Sequence, residues 1–270
     1  MDIEAEVLRT IREYRLIEGD EKVAVALSGG KDSTSVLYIL NKLGYNVCGL
    51  MIDLYLGEWS RIHRENMERF CRELGVPLTI IDLKEELGQG ICFIKAVLRK
   101  KKNLTGCTVC GIIKRWLLNR GAKRIGADKL ATGHNLDDEA QNVLMNFLKG
   151  NIFLGVNSAP ATGGKKVEGF VQRIKPLFFV PESEVLKYAK RKKFKILYDK
   201  CPCAFGTYRV DTREWMRGIG YDKKRQIVEN FQKIALPLRR RAFEGVSFCK
   251  NCGEPSRGEL CNACKIFVEI

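Results

Sequence analysis

The chain has 270 residues, and its 47 Lys and Arg outnumber 32 Asp and Glu to leave a net charge of +15. No run approaches the roughly eighteen apolar residues of a membrane span, and the opening Met1-Asp2-Ile3-Glu4 carries acids where an export leader carries bases, so a cytoplasmic protein with no membrane partner is expected. Eleven cysteines in such a chain point to metal ligation or catalysis rather than to a disulfide frame.

Residues 3–18 have helical spacing (Ile3, Val7, Ile11, Leu16), and Gly19-Asp20 then reads as a turn. The apolar run Lys22–Leu27 predicts a strand, and a helix is predicted from Ser33 to Lys42. Between them lies Ser28-Gly29-Gly30-Lys31-Asp32-Ser33-Thr34. Strand, glycine turn and helix start, in that order, make an anion site: Gly29 and Gly30 let the main chain approach a phosphate, free N–H groups of the helix start point at it, and Lys31 adds a point charge. ATP is the expected ligand. The kinase-type Gly-x-x-x-x-Gly-Lys-[Ser/Thr] and the dinucleotide Gly-x-Gly-x-x-Gly are both absent. Ser-Gly-Gly-x-Asp-Ser resembles instead the pyrophosphate (PP) loop of N-type ATP pyrophosphatases, which implies cleavage of ATP between its α and β phosphates.

Further strands are predicted at Val47–Leu54, Leu78–Ile81, Lys129–Thr132 and Lys195–Tyr198, and further helices at Ser60–Leu74, Val109–Gly121, Asp137–Lys149 and Glu182–Arg191. This alternation is the signature of an α/β fold, a doubly wound and mostly parallel sheet, which binds ligands beyond the carboxyl ends of its strands. The segments Ser28–Ser33, Asp53–Trp59, Gly133–Asp138 and Asp199–Cys203 should therefore meet at one edge. His63 reads as a surface residue of an amphipathic helix, and Cys48, Cys71 and Cys92 as small buried apolar groups. Asp138, flanked by Asp137 and Glu139, is a candidate magnesium ligand or proton acceptor, although acids at a helix start also serve as caps; His134 could be a base or a positioning group. Residues 151–172 read as a flexible glycine-rich loop.

Two cysteine groups stand out. Cys249-x2-Cys252 and Cys261-x2-Cys264 form two knuckles whose four thiolates suit structural zinc, with an iron–sulfur site as competitor. Cys107 and Cys110 precede a helix expected to begin near Gly111, where Lys114 and the helix dipole would favour thiolates, and Cys201 and Cys203 follow a predicted strand. A second zinc site, a redox pair and a [4Fe–4S] cluster are all open to this second group. The basic runs Arg99–Lys102, Lys190–Lys195 and Arg239–Arg241 favour a polyanionic partner, with nucleic acid as the candidate, and Trp59, Phe93, Trp116 and Tyr208 could stack on bases or belong to the core. The expected organisation is an N-terminal helix at 1–20, a PP-loop domain at 21–206, a basic helical region and linker at 207–245 containing Pro237, and a zinc ribbon at 246–270.

Ser28–Ser33, Cys107-Thr108-Val109-Cys110-Gly111, Gly133–Glu139, Cys201-Pro202 and the closing four-cysteine ribbon together resemble the tRNA 2-thiolation enzymes of the TtcA/TtuA type. The resemblance implies that Cys107, Cys110 and Cys201 hold a [4Fe–4S] cluster with one iron open to sulfur. It also implies that Ala26, Leu27, Ser28 and Ser33 contact ATP, that Ile52 to Leu54 lie against the adenine, that Lys114 and Gly133 lie beside the nucleotide, and that Asp138 assists catalysis or holds Mg2+. The reaction implied is adenylation of the C2 oxygen of a uridine in tRNA and its replacement by sulfur. The donor implied is a ubiquitin-like thiocarboxylate carrier or sulfide, and the assembly a homodimer. The sequence departs from the family pattern in opening on a helix rather than on a further ribbon, and in placing Cys203 where an aromatic residue is usual after Cys-Pro. The alternatives are another PP-loop synthetase, a cysteine-persulfide thiolase without a cluster, and a non-catalytic RNA-binding ribbon protein.

Overall fold

Val23–Leu27 and Val47–Asp53 are apolar without alternation, as strands covered on both faces must be. The computed structural model describes residues 1–102, 106–156, 158–162, 169–199, 201–203, 208–242 and 246–268. Its elements are α1 (Ile3–Glu13), β1 (Val23–Leu27), α2 (Lys31–Lys42), β2 (Val47–Asp53), α3 (Glu58–Glu73), β3 (Leu78–Asp82), α4 (Leu83–Leu87), α5 (Ile91–Lys102), α6 (Gly106–Arg124), β4 (Lys129–Ala131), α7 (Leu136–Leu148), α8 (Ile152–Gly155), β5 (Gln172–Ile174), α9 (Glu182–Arg191), α10 (Tyr208–Trp215), α11 (Tyr221–Ala242), β6 (Ser247–Phe248), β7 (Pro255–Ser256) and α12 (Asn262–Phe267).

The first five strands form one sheet in the order β3-β2-β1-β4-β5, every pair parallel. Val23, Val25 and Leu27 face a core shared with Ile3, Leu37, Met67 and Tyr188 of α1, α2, α3 and α9, whereas Ala24 faces Leu50, Ile94, Ile113 and Leu117, which belongs with α5 and α6. This is the two-sided cover that the alternation of strands and helices predicts. The order reverses between β1 and β4, which places the switch-point crevice between Leu27 and Ala131, beside both the glycine loop and Gly133.

Several sequence expectations change. Lys195–Tyr198 forms no strand; Phe194 and Ile196 are buried, and the Phe194 ring lies 5.3 Å from Tyr38 and 5.2 Å from Phe70, so this apolar run serves packing rather than a ladder. The fifth strand comes instead from Gln172–Ile174, at the end of the segment read as a flexible loop, where Ala161 also bridges Ile174. That segment also contains α8, and its residues 163–168 lie outside the described residues. Helix α5 was not anticipated, because only Ile91, Ile94 and Leu98 carry its buried stripe. Helix α6 begins at Gly106 rather than near Gly111. Pro237, read as part of a linker, sits inside α11, which continues to Ala242. Cys48 and Cys71 are buried as expected, whereas Cys92 is exposed. Arg99–Lys102 and Arg239–Arg241 close α5 and α11; their side chains, like that of Tyr208, lie outside the described residues, as do Lys200 and residues 243–245.

The acids that open α7 divide their work by direction. Asp137 accepts the Glu182 N–H at 2.7 Å and Lys224 Nζ at 2.7 Å, tying α7 to the starts of α9 and α11. Glu139 turns inward to Lys175 at 2.6 Å and to the Ser158 hydroxyl. Burial pushes the Glu139 carboxyl up, but Lys175, His134 and these hydrogen bonds outweigh it and hold its pKa below the ordinary 4.5. A carboxylate so depressed stabilises the fold above its unfolded pKa, and that contribution is lost as pH falls through the folded value. Glu139→Gln is expected to cost roughly 3–5 kcal/mol at neutral pH by leaving Lys175 unpaired, and the gap to the unmutated chain should narrow below pH 4.5. Urea unfolding across that range checks both.

Candidate active site

Helix α2 opens without a side-chain cap: Gly30 is the N-cap, at φ −90° and ψ 166°. Its leading N–H groups are therefore left for an anion, as the sequence predicts. Hydroxyls hold the loop in shape. The Ser28 N–H donates to Ser33 Oγ at 3.1 Å, the two serine hydroxyls lie 3.2 Å apart, and Thr34 Oγ1 donates to the Gly30 carbonyl at 2.9 Å.

A cavity of about 410 Å³ opens beside this loop. It brings together Ala26, Leu27, Ser28, Asp32, Ser33, Ile52, Leu54, Lys114, Gly133 and Asp138, the residues that the motifs and the resemblance single out from four separate stretches of chain. Ile52, Leu54 and Leu118 make an apolar wall suited to a base, while the loop amides and serines make the polar end. Two glycines set its shape. A Cβ on Gly133 would lie 2.7 Å from the Ser33 backbone nitrogen and 2.9 Å from the Asp32 carbonyl carbon. Gly29 has φ +78°, and a Cβ there would lie 2.1 Å from His63 Nδ1.

His63 is therefore not a surface residue. It is 2% exposed, lines the cavity beneath Gly29, and packs on Trp59 with ring centroids 4.0 Å apart; neither ring nitrogen meets a partner at hydrogen-bond geometry. Burial pulls the imidazole below its usual pKa against an opposing contribution from the Gly29 backbone. Sequence reasoning missed this role, as well as Ser60 on the same walls, whereas Asp53 falls in a segment expected at this edge. The signal available was positional: Trp59, Ser60 and His63 follow the carboxyl end of β2.

Asp32 and Asp138 share a wall. Asn135 Nδ2 donates to Asp32 Oδ1 at 3.0 Å while its Oδ1 accepts the Asp138 N–H at 3.1 Å in a capping box. Burial raises the Asp32 pKa, Lys31 opposes, and the Asp138 charge raises it further. Two carboxylates held together at a cavity wall suit a divalent cation, which would relieve that repulsion. Lys31, expected to face phosphate, bonds Asp32 and Glu182 at 2.9 Å each. Lys114 is the lysine that lines the cavity.

The second cysteine group gathers at the start of α6. Cys107 and Cys110 lie in its first turns, and Cys107 Sγ donates to the Cys203 carbonyl at 3.8 Å, which joins the segment 201–203 to the helix start. Burial raises the Cys110 pKa; Lys114 and Lys95 oppose, and Cys201 and Cys107 add to the rise. At Cys110 burial therefore outweighs the two lysines. Lys95 and the exposed Cys92 both reach Cys203, so this second group has a wider rim than its four cysteines suggest. Among the described residues, the group with ligand atoms all within 4.8 Å is the other one: Cys249, Cys252, Cys261 and Cys264. The β6–β7 hairpin and the start of α12 present these four sulfurs, with the Cys261 N–H donating to Cys249 Sγ at 3.2 Å, a donor set that fits one tetrahedral zinc. Trp116 stacks edge-on against Phe267 of this tail at 5.1 Å, so it is packing and not a base platform, whereas Phe93 is exposed.

Comparison with known proteins gives a consistent picture. The PP-loop domain family matches residues 2–204. The chain is 36% identical over 272 residues to the tRNA-5-methyluridine(54) 2-sulfurtransferase of Pyrococcus horikoshii, covering 98% of this chain and 84% of that protein. It is 34% identical to the Thermus thermophilus protein of the same name, covering 98% and 82%. The structure is similar to the U34-tRNA thiolase NcsA from Methanococcus maripaludis with its [4Fe-4S] cluster, with a TM-score of 0.82 and 29% identity over 99% of this chain and 88% of that one.

Because both atoms facing a Gly133 Cβ are main chain, neither can swing aside. Gly133→Ala is expected to force the β1 and β4 loops apart and to weaken ATP binding at least roughly tenfold, a loss of about 1.4 kcal/mol. Titration calorimetry with ATP reads this directly, and an unchanged affinity would show that the nucleotide sits elsewhere.

Proposed function

Since the chain belongs to the PP-loop family of tRNA 2-thiolation sulfurtransferases, we propose that it activates a uridine of tRNA with ATP and exchanges the C2 oxygen for sulfur. The observation that carries this reading is the double role of α6. Lys114 lines the nucleotide cavity and is also the cation that acts most strongly on Cys110, so the nucleotide and sulfur chemistries would meet across one helical turn.

In this reading Ala26, Leu27, Ser28, Gly29, Gly30 and Ser33 cradle the phosphates, and Ile52 and Leu54 take the adenine. Lys31 holds Asp32 and Glu182 in place, leaving the helix N-terminus and Lys114 to face the charge that develops on phosphate. Asp32 and Asp138 would hold Mg2+, Asp138 as its cavity-facing ligand. The uridine O2 attacks the α phosphorus, pyrophosphate leaves, and the adenylated base then loses AMP to incoming sulfur. Cys107, Cys110 and Cys201 would hold a [4Fe–4S] cluster, which when bound supplies an iron open to sulfur. Cys249, Cys252, Cys261 and Cys264 would hold zinc, which has no open position and therefore serves the fold of the ribbon. A thiocarboxylate carrier or inorganic sulfide would supply the sulfur to a cytoplasmic homodimer. On this reading the chain would divide into an N-terminal helix over 1–20, a nucleotide domain over 21–206, a basic helical region over 207–245 and the ribbon over 246–270.

Cys107→Ala, Cys110→Ala and Cys201→Ala should each abolish both the iron content after anaerobic reconstitution and the 2-thiouridine formed from ATP, sulfide and tRNA, read by nucleoside mass spectrometry. Cys203→Ala should retain both. Equal loss at Cys203 makes that residue the third ligand, and full thiolation from sulfide without iron means that sulfide itself displaces AMP from the adenylated base with no cluster involved.

A further inference from the structure

A second trough runs along the seam where the ribbon rests on α6 and β5. Its inner part, about 260 Å³, is lined by Arg115, Trp116, Arg173 and Glu254, and its outer part, about 430 Å³, by Arg257 and Lys265; Phe170 and Asn262 line both. Glu254, the acid on this wall, is already engaged by Asn119 Nδ2 and Lys123 Nζ.

Arg173 is built into the floor. Its main chain is clamped by β4 on one side and by Thr162 on the other, the Arg173 N–H donating to Thr162 Oγ1 at 3.1 Å and its carbonyl accepting the Thr162 N–H at 2.9 Å. Its Nη2 donates to the Arg115 carbonyl at 3.4 Å, and its Cζ lies 5.3 Å from the Phe170 ring centre. Among the described residues no carboxylate pairs with it, and its Nε is sealed from solvent without an acceptor. The guanidinium is thus answered only in part, by one carbonyl and an aromatic face, and an anion in the trough would complete it. Burial, and then the neighbouring Arg115, draw its pKa to about 10, so it keeps its charge at neutral pH.

We propose that this trough seats a backbone phosphate of the RNA substrate, held by the half-buried Arg173 fork with Arg115 beside it and Lys265 at the mouth. The inference rests on the reading of the chain as a tRNA-thiolating enzyme. An RNA strand is favoured over a lone acidic group because the trough continues past Arg257 and Lys265 and the chain carries +15. Position on α6 agrees: Lys114 lines the nucleotide cavity and Arg115, the next residue, lines the trough, so substrate anchored here would grip the helix that carries the reaction site.

The test measures binding of an unmodified tRNA transcript to the full chain by fluorescence anisotropy over a salt series, with ATP titration as a control for the fold. Arg173→Gln should weaken tRNA roughly tenfold near physiological salt and reduce the slope of log K against log salt by about 1, with ATP affinity unchanged. Arg173→Lys should restore the slope but not the full affinity, since it keeps the charge and loses the fork. Lys265→Glu, on an exposed residue, should lower the slope independently of any folding problem at Arg173. A slope and affinity unchanged in Lys265→Glu and in whichever Arg173 variant folds overturn the seat while leaving the enzyme reading intact. A lowered melting temperature with an unchanged slope makes Arg173 structural only. Absence of tRNA binding by the unmutated chain overturns the functional reading itself.

Discussion

The nucleotide site depends on how closely two loops approach at the switch point of the sheet. The loop after β1 and the loop after β4 touch through main chain, with Gly133 set against the Ser33 nitrogen and the Asp32 carbonyl carbon, and no side chain can be interposed. That contact fixes the distance between the helix start that binds an anion and the Asn135–Asp138 capping box that supplies acid. Everything on the rim is placed from there: the serine hydroxyls below, Lys114 across the cavity, and the buried His63 ring under a glycine whose φ of +78° leaves no room for a Cβ. The cavity is therefore set by backbone geometry before any side chain chooses a rotamer, which is the form of preorganisation that electrostatic catalysis requires.

The three consecutive acids of α7 show why a motif read as a string says less than the helix it starts. Successive helical residues point about 100° apart, so Asp137, Asp138 and Glu139 face three different environments. Asp137 is spent on the starts of α9 and α11, Glu139 on Lys175, and only Asp138 faces the cavity. The same division holds on α2, where Lys31 turns to Glu182 while Asp32 lines the wall. In both cases structural ion pairs fix the helices so that one acid from each can be held beside the other; burial chiefly, and the Asp138 charge in addition, raise the Asp32 pKa.

What the sequence made legible followed from strict chemistry or strong periodicity. The glycine loop, the two cysteine knuckles and the strands β1 and β2 each have few alternative explanations, and ten of the expected nucleotide-site residues fall on one cavity. What it hid was set by tertiary partners. Three-residue β5 has too little pattern to announce itself within a glycine-rich stretch, whereas β4, equally short, was legible between two helical runs. Phe194 and Ile196 carry a strand-like apolarity that an aromatic cluster uses instead. Pro237 reads as a stop, yet α11 passes through it, a local preference overridden by the longer element around it. His63 shares the stripe of Met67 and Cys71, and nothing in that period says that the ring closes the floor of a binding site.

Helix α6 is where these threads join, and its lack of a clean polar face follows from that. Its first turns carry Cys107 and Cys110, Lys114 and Leu118 face the nucleotide cavity, Ile113 and Leu117 pack under the sheet, and Trp116 and Asn119 hold the ribbon. A helix contacted on every side cannot be amphipathic, and it cannot shift to suit one partner without moving the others. The ribbon gains its place in the enzyme from this. By packing Phe267 on Trp116 and bonding Glu254 to Asn119 and Lys123, the four-cysteine tail braces the face of α6 turned away from Lys114. The tail thus packs on the helix that carries both Lys114 and Cys110, and in the proposed reaction that helix is what keeps the two one turn apart.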